Sequence, residues 1–382
     1  MEMILGIRIE FVLFALTLLG VALLHKHTFW VGLCGLSLVL LFKMTLPDFH
    51  PGEHFAHEAP TLLNLLGLLL GFAILAKYFE ESGVPQKLPV LLPGGWKGGF
   101  VLLLMVAALS SFLDNIAAAM IGGMIARFVF KGKVHVGYVA AIVAASNAGG
   151  SGSVVGDTTT TMMWIDGIAA GGVLPAYIAA IPAVVVCGLV ASRQQDKWQP
   201  LDASELSDKE IDFKKLIVVV MILAGAIITN ITLDFPAAGV WAAIAIGSLF
   251  SRVSFHELPS ALKGSVFLLS LVSAASLMPV DELPTASWHT AGALGFISAV
   301  FDNIPLTKLA LEQGGYDWAM LAYSVGFGGS MIWFGSSAGV AITNLFPEAA
   351  SVGSWLKNGW HVMMAYVIAF LLMLVIWGWQ PF

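Results

Sequence analysis

Asn147-Ala148-Gly149-Gly150-Ser151, followed by Gly156-Asp157-Thr158, interrupts a strongly apolar region of the chain. A second set, Gly328-Gly329-Ser330 followed by Gly335-Ser336-Ser337, repeats these glycines at one constant offset. Lone glycines would rarely match in this way, so the two sets predict an internal duplication. Interrupted backbone and carboxylates are costly at membrane depth, and a chain that carries them twice is expected to use them.

An Asp-Asn pair precedes each of these sets. Asp114-Asn115 divides the apolar residues 98–130 into two halves, each too short to cross a bilayer. This pattern predicts a re-entrant helical hairpin with its tip at the pair. Asp302-Asn303 marks the tip of the counterpart, over 286–314.

The glycines themselves predict a broken helix in each half. Residues 135–170 form one apolar segment whose middle, 147–156, contains four glycines. Glycine weakens a helix, and the break frees backbone groups to bind other partners. The corresponding broken segment of the second half is 318–348.

Composition excludes a soluble globule. The chain is 58% hydrophobic and 11% charged, with a mean hydropathy of +0.88, which is typical of an all-α polytopic membrane protein. The first apolar run contains Arg8 and Glu10 and no small-residue cleavage site, so we expect a retained helix rather than a signal peptide. No basic stripe indicates a nucleic-acid partner, and no phosphate-binding loop indicates ATP.

Eight further segments are long and apolar enough to be full spans: 4–24, 28–46, 61–79, 172–192, 214–233, 236–251, 264–280 and 358–380. Each half then has three spans, a re-entrant hairpin, a broken helix and a final span. Five crossings per half make the second half inverted relative to the first. The sequence therefore predicts two inverted-topology repeats, 1–192 and 214–382, joined by the linker 193–213.

The basic residues orient this topology. With loops on alternating sides, only Arg8, Lys43 and Lys308 of the 18 Lys and Arg residues fall on one side. Positive charge accumulates on cytoplasmic loops. We therefore expect a cell inner (plasma) membrane protein with a cytoplasmic linker and both termini outside, in the periplasm.

The interrupted segments supply oxygen ligands suited to a small hard cation. The carboxylates and their neighbouring amides are the candidate Na+ ligands: Asp114, Asn115, Asp157, Asp302 and Asn303. The neutral candidates for ion or substrate binding are Asn147, Ser151, Thr158, Ser330, Ser336 and Ser337. A buried carboxylate without a cation favours its protonated form, so a proton and a cation would compete for it.

Structural alternatives remain for these motifs. Asp-Asn pairs often cap helices, and the glycine pairs could be close-packing contacts between helices. Asp157, which corresponds to Ser336 in the second half, could simply cap the Thr-rich half-helix that follows it. Lys308 could pair with Asp302 or another site carboxylate, or extend to the outer surface.

An outward loop before the third span is rich in histidine and glutamate. It could be a loose metal cluster, or an ordinary solvated loop in which irregular spacing and two prolines define no coordination geometry. The residues concerned are His50, Glu53, His54, His57 and Glu58.

At the glycine and Asp-Asn motifs the chain resembles the ion transporter superfamily, and it is most similar to the NhaD-type sodium/proton antiporters. The matching residues are Asn147–Gly150, Gly156–Trp164, Asp302–Leu306, Gly328–Ser330 and Gly335–Val340. One difference is that Ala117-Ala118-Ala119 follow Asn115, where hydroxyl residues are common in those antiporters. The resemblance implies exchange of Na+ or Li+ for H+, with no further cofactor.

The resemblance also implies an elevator-like movement. A scaffold, from spans 4–79 and 214–280, would hold a moving transport core, from 98–170 and 286–348, and the protein would be a homodimer in the lipid bilayer.

Three functions compete. The first is a cation/proton antiporter, which the intramembrane aspartates favour. The second is a sodium-coupled symporter of a small carboxylate such as citrate or a dicarboxylate, which would use helix N-termini and hydroxyl groups. The third, an intramembrane aspartyl protease, lacks its Gly-x-Gly-Asp motif, since Val154-Val155 precede Gly156-Asp157. The sequence therefore predicts a transporter and not an enzyme.

Overall fold

The computed structural model describes residues 3–4, 7–24, 27–47, 49–201, 210–252, 255 and 258–381. These residues are almost entirely helical. The exception is one short antiparallel pair of two-residue strands, Met3–Ile4 with Ile7–Arg8. The predicted all-α architecture is confirmed.

The first half contains ten helices within the described residues. They are α1 Ile9–Leu23, α2 Thr28–Lys43, α3 Pro51–Glu81, α4 Val84–Lys87, α5 Trp96–Ser110, α6 Asn115–Val129, α7 Val136–Ser151, α8 Thr158–Ile165, α9 Ala170–Val173 and α10 Tyr177–Trp198. Because α10 continues through Trp198, the predicted linker 193–213 begins inside a helix. Residues 202–209 of that linker lie outside the described residues.

The second half repeats the order of the long elements. Its helices are α11 Phe213–Leu233, α12 Pro236–Ser248, α13 Leu258–Ser276, α14 Trp288–Ser298, α15 Asn303–Gln313, α16 Trp318–Gly328, α17 Ser337–Leu345, α18 Val352–Asn358 and α19 Trp360–Ile376.

Several of these helices are long and apolar enough to cross a membrane. Four segments within the described residues meet the requirement: 51–81, 170–198, 213–233 and 258–276. The pair α18 and α19, bent by 60°, makes a fifth if it is counted as one span. Helices α1, α2, α5, α6 and α12 are shorter but apolar.

Four predicted spans are shorter than expected: 4–24, 28–46, 236–251 and 358–380. The span 4–24 becomes helical only at Ile9, because the chain before it forms the strand pair. The span 236–251 ends at Ser248 after 13 residues. There the Ser248 hydroxyl donates to the carbonyl of Ala245 at 2.6 Å, a local bond of the kind that competes with helix continuation.

The prediction of a loop around His50 to Glu58 is wrong. Helix α3 begins at Pro51 and runs for 31 residues. Proline is well tolerated in the first turn of a helix, where its missing N–H has no partner to lose, and Pro60 is accommodated inside the helix. Within the described residues no three His, Cys, Asp or Glu side chains could hold a metal ion together, so the alternative of a metal cluster finds no support.

The first glycine of each pair packs against the backbone of a neighbouring helix in the same way in both halves. A Cβ atom at Gly149 would collide with the carbonyl of Ala107 on α5, and one at Gly328 would collide with the carbonyl of Gly295 on α14. These are the close contacts considered as an alternative above. They occur beside real interruptions, because α7 ends at Ser151 before α8 starts, and α16 ends at Gly328 before α17 starts.

Candidate functional site

Three aspartates begin three of the short helices. The Asp114 carboxylate accepts the backbone N–H of Ile116 at 2.9 Å at the start of α6, and Asp302 accepts that of Ile304 at 3.0 Å at the start of α15. Asp157 accepts both the N–H and the hydroxyl of Thr159 at the start of α8. The capping alternative is therefore correct. Capping also places each carboxylate at the positive end of a helix dipole, inside the protein.

Two buried amides connect the start of α6 to α7 and to the start of α8. Asn115 Nδ2 donates to Asn147 Oδ1 and to Asp157 Oδ2, both at 3.0 Å. Asn115 is the first residue of α6, whereas Asn147 lies on α7. Both amides and the Asp157 carboxylate are buried.

The same network continues into the second half of the chain. Asn147 Nδ2 donates to Ser330 Oγ at 2.9 Å and to Ser336 Oγ at 3.1 Å. Both serines are fully buried, and Ser336 also caps α17. Asn147 thus links Asn115 in the first half of the chain to two serines in the second half, at the place where the two interruptions meet. We call Asn115, Asn147, Asp157, Ser330 and Ser336 the central network.

The remaining predicted residues surround this network. Ser337 Oγ donates to Asp302 Oδ2 at 3.3 Å, and Asn303 is buried as the first residue of α15. Ser151 donates only to the carbonyl of Ala148 in its own helix. Thr158 is buried as the first residue of α8.

Asp157 lies near each of the other two aspartates, but the three do not form a tight acidic cluster. Asp114 and Asp302 are both within electrostatic reach of Asp157. No three acidic, His or Cys side chains of the described residues are close enough to hold one metal ion. A cation bound here would therefore be held by one or two carboxylates together with neutral amide, hydroxyl or carbonyl oxygens.

A cavity of about 530 Å³ leads to Asp114. It lies between α3, α6 and α13, and it follows α6 from Asp114 to Met124, a distance of about 15 Å at the rise of a helix. Lys77 and Glu80 of α3 also line it and form an ion pair with each other at 3.0 Å. The cavity thus runs from one candidate ligand along the first ten residues of α6.

Lys308 pairs with neither Asp302 nor another candidate site residue. Its ammonium group lies 3.0 Å from Glu58 Oε2 and 2.6 Å from Glu312 Oε1. Lys308 is only 4% exposed, so it does not extend to the surface either. Both predictions for Lys308 are wrong, because its partner Glu58 lies far away in the sequence and on a helix that was interpreted as a loop.

Sequence reasoning also missed Tyr177 at the start of α10. Its hydroxyl donates to Ser111 Oγ at 2.9 Å and to the carbonyl of Gly149 at 3.1 Å. It therefore ties the end of α5 to α7, next to the first interruption. Tyr366 of α19 makes a related contact in the second half, donating to the carbonyl of Gly292 at 2.8 Å. Tyr366 lies well inside α19 rather than at its start, so no shared position in the sequence marked these tyrosines.

Comparison with known proteins agrees with this architecture. The family model of the citrate transporters matches residues 11–328. Sodium/proton antiporter 1 of Arabidopsis thaliana is 25% identical over 336 residues, which are 76% of this chain and 56% of the relative. The chain thus spans little more than half the length of that relative.

Two other relatives are covered more completely. Sodium/proton antiporter 2 of Arabidopsis thaliana is 26% identical over 332 residues, covering 75% of this chain and 76% of the relative. The Na+/H+ antiporter NhaD of Halomonas elongata is 22% identical over 395 residues, covering 88% and 77%. The family model covers most of the chain, and several helices of the chain are apolar and long enough to cross a membrane. This multi-pass membrane protein therefore belongs to the citrate transporter family, and it resembles the NhaD-type relatives in the ion transporter superfamily.

Proposed function

We propose that the chain is a secondary active transporter that exchanges Na+ or Li+ for H+ at the central network and the neighbouring aspartates. The observation that carries this proposal is the pair of bonds from Asn115 to Asn147 and Asp157. They bring a carboxylate, a second amide and two helix starts together inside the protein. The names of the relatives, which are sodium/proton antiporters, support the same activity.

The proposed architecture has two inverted repeats, 1–192 and 214–382, with both termini outside the cell membrane. Helices α5 and α6, and likewise α14 and α15, would be re-entrant hairpins that enter from opposite sides. The repeated element order and the equivalent glycine contacts at Gly149 and Gly328 support the duplication. An odd number of crossings per repeat supports the inversion.

The chemistry follows from the surroundings of the carboxylates. One oxygen of Asp114 caps α6, and the residue also lines the cavity, so it is accessible to ions. A dehydrated cation would take up the carboxylate and nearby amide and hydroxyl oxygens, whereas a proton would neutralise the same carboxylate. Because the two cannot occupy it together, loading one releases the other, which is the requirement for antiport.

The charges near the site favour a cation over an anion as cargo. The cavity presents the Asp114 carboxylate, and the one basic residue among the described residues that line it, Lys77, is ion-paired with Glu80. In this lining a citrate anion would meet the negative charge of Asp114. A cation would be attracted.

Transport in everted membrane vesicles that carry a pH-sensitive dye tests the proposal. Addition of Na+ should move protons across the membrane, and vesicles without the protein should show no such movement. The second candidate, a sodium-coupled symporter of a small carboxylate, is favoured by the description of the matching family as citrate transporters. Sodium-dependent citrate or succinate uptake without proton exchange would establish that candidate instead and refute antiport.

Asn147→Ala should impair sodium exchange more than it impairs folding. The change removes two donated bonds and one accepted bond from the central network and leaves Asn115 and the two serines without their shared partner. Lost hydrogen bonds of this kind typically cost about 1–3 kcal/mol each, so we expect the Na+ concentration for half-maximal exchange to rise about tenfold or more.

Asn64→Ala is the matched control for this change. Asn64 is an equally buried amide on α3, and it accepts the backbone N–H of Ala237 outside the central network. Its loss should lower stability without changing the sodium dependence of the remaining transport. An equal shift of the sodium dependence in both variants would contradict a binding role for Asn147.

A further inference from the structure

A buried ion pair joins two helices that the proposed transport cycle must separate. Lys308 on α15 lies 3.0 Å from Glu58 on α3, and both side chains are less than a tenth exposed. Glu312, one turn further along α15, contacts the same ammonium group. Removing one partner of such a pair leaves the other charge buried in an apolar environment without a counter-charge. Breaking the pair inside the protein therefore costs free energy.

An apolar cluster seals the same junction. Leu65 of α3, Met162 of α8, Val272 of α13 and Ile304 of α15 pack together, and each is at most 3% exposed. Ile304 directly follows the Asp302-Asn303 tip. The second hairpin is therefore joined to α3 and α13 by a dry contact and an ion pair.

The first hairpin has the opposite relation to the same two helices. The cavity of about 530 Å³ separates part of α6 from α3 and α13 and reaches Asp114. Helices α3 and α13 thus face open space on the side of the first hairpin and closed packing on the side of the second. In the proposed orientation, the open side faces the cytoplasm.

We propose that the Lys308–Glu58 pair is a lock that holds the transporter in this inward-open state. The inference rests on the proposed division into a scaffold that contains α3 and a moving core that contains α15. When the core moves outward, α15 slides along α3, so the pair and the apolar cluster must open together. Lys308 keeps Glu312 as a partner on its own helix, and this lowers the cost of release. Lys308 and Glu58 are positioning residues, because they set the balance of the two states without touching the cargo.

Thiol labelling from outside measures this balance without any transport. Val272, which is fully buried in the apolar cluster, is replaced by Cys in a Cys34→Ser background, because Cys34 is the exposed one of the two free cysteines. A membrane-impermeant maleimide then reacts only when the outer junction opens. Glu58→Gln removes one of the two charges that hold Lys308, and the loss of this buried ion pair should raise the labelling rate of Val272→Cys about tenfold, since Lys308 keeps Glu312.

Glu81→Gln is the matched control. Glu81 also lies on α3, but its partner Lys215 is on α11, so both members of that pair belong to the proposed scaffold. The control should leave the labelling rate unchanged. An unchanged rate in well-folded Glu58→Gln, or an equal rise with Glu81→Gln, would overturn the lock.

Glu58→Asp provides a second variant if Glu58→Gln does not fold. It keeps the charge but withdraws it from Lys308, and it should give a smaller rise; no rise at all would refute the proposal. Since labelling involves neither sodium nor a pH change, failure of the lock and failure of sodium/proton exchange give separate results.

Discussion

Asp114→Asn should abolish sodium-driven proton movement and leave the fold intact. Asparagine caps a helix about as well as aspartate, so the bond to Ile116 that starts α6 can persist. The charge that attracts a cation into the cavity is lost, and the amide cannot take up a transported proton. Loss of a charged contact of about 3 kcal/mol corresponds to roughly a 100-fold fall in activity. The dye assay in everted vesicles measures it.

Asp317→Asn makes the same substitution at a buried helix cap away from the cavity. Asp317 accepts the backbone N–H groups of Met320 and Gln380, and it contacts none of the candidate site residues through those bonds. This variant should transport normally once corrected for the amount of folded protein. Full activity in Asp114→Asn, or an equal loss in Asp317→Asn, would show that the negative charge of Asp114 is not what drives exchange.

Gly149→Ala and Gly328→Ala should each destabilise the protein by a similar amount. A methyl group at either position would collide with the backbone of a neighbouring helix, at the carbonyl of Ala107 on α5 or of Gly295 on α14. Overpacking lowers the free energy of unfolding by about 1–3 kcal/mol, whereas the better helix propensity of alanine raises it by about 1 kcal/mol. We expect the loss to exceed the gain here, because the neighbouring atoms belong to the backbone and cannot rotate away. The apparent Tm of the purified protein in detergent should fall by several degrees.

Gly353→Ala provides the comparison for these two variants. Nothing lies within 4 Å of the position that a methyl group would occupy at Gly353 on α18. It should therefore leave the Tm unchanged or raise it slightly. A loss of stability in only one of Gly149→Ala and Gly328→Ala would contradict the equivalence of the two interruptions.

Much of the fold could be predicted because its determinants are local. The matching glycines at 149 and 328 predicted interruptions, and the helices that contain them do end within a few residues, at Ser151 and Gly328. The Asp-Asn pairs coincide with helix starts for a similarly local reason, because an aspartate at the cap accepts a nearby backbone N–H.

The errors arise where context overrides a local signal. Pro51 and Pro60 favoured a loop, yet proline is compatible with a first turn, and the apolar packing of α3 accommodates the second proline. The partners of Lys308 and Asn147 were not predictable, because Glu58 and Ser330 are distant in sequence. Local motifs and helix periodicity do not indicate which buried polar groups will meet across helices.

The central claim is that Na+ and H+ compete for the carboxylates of the candidate site, and proton release during sodium binding tests this claim most directly. Purified protein in weakly buffered detergent solution is titrated with NaCl, with choline chloride as the matched salt, while a dye reports pH. Sodium should release protons, choline should release none, and Asp114→Asn should lower the release. The titration is repeated at several pH values between about 6 and 9, which is roughly the range in which a buried carboxylate can exchange its proton. Sodium binding without proton release at every one of these pH values would contradict competition of the two ions for one site.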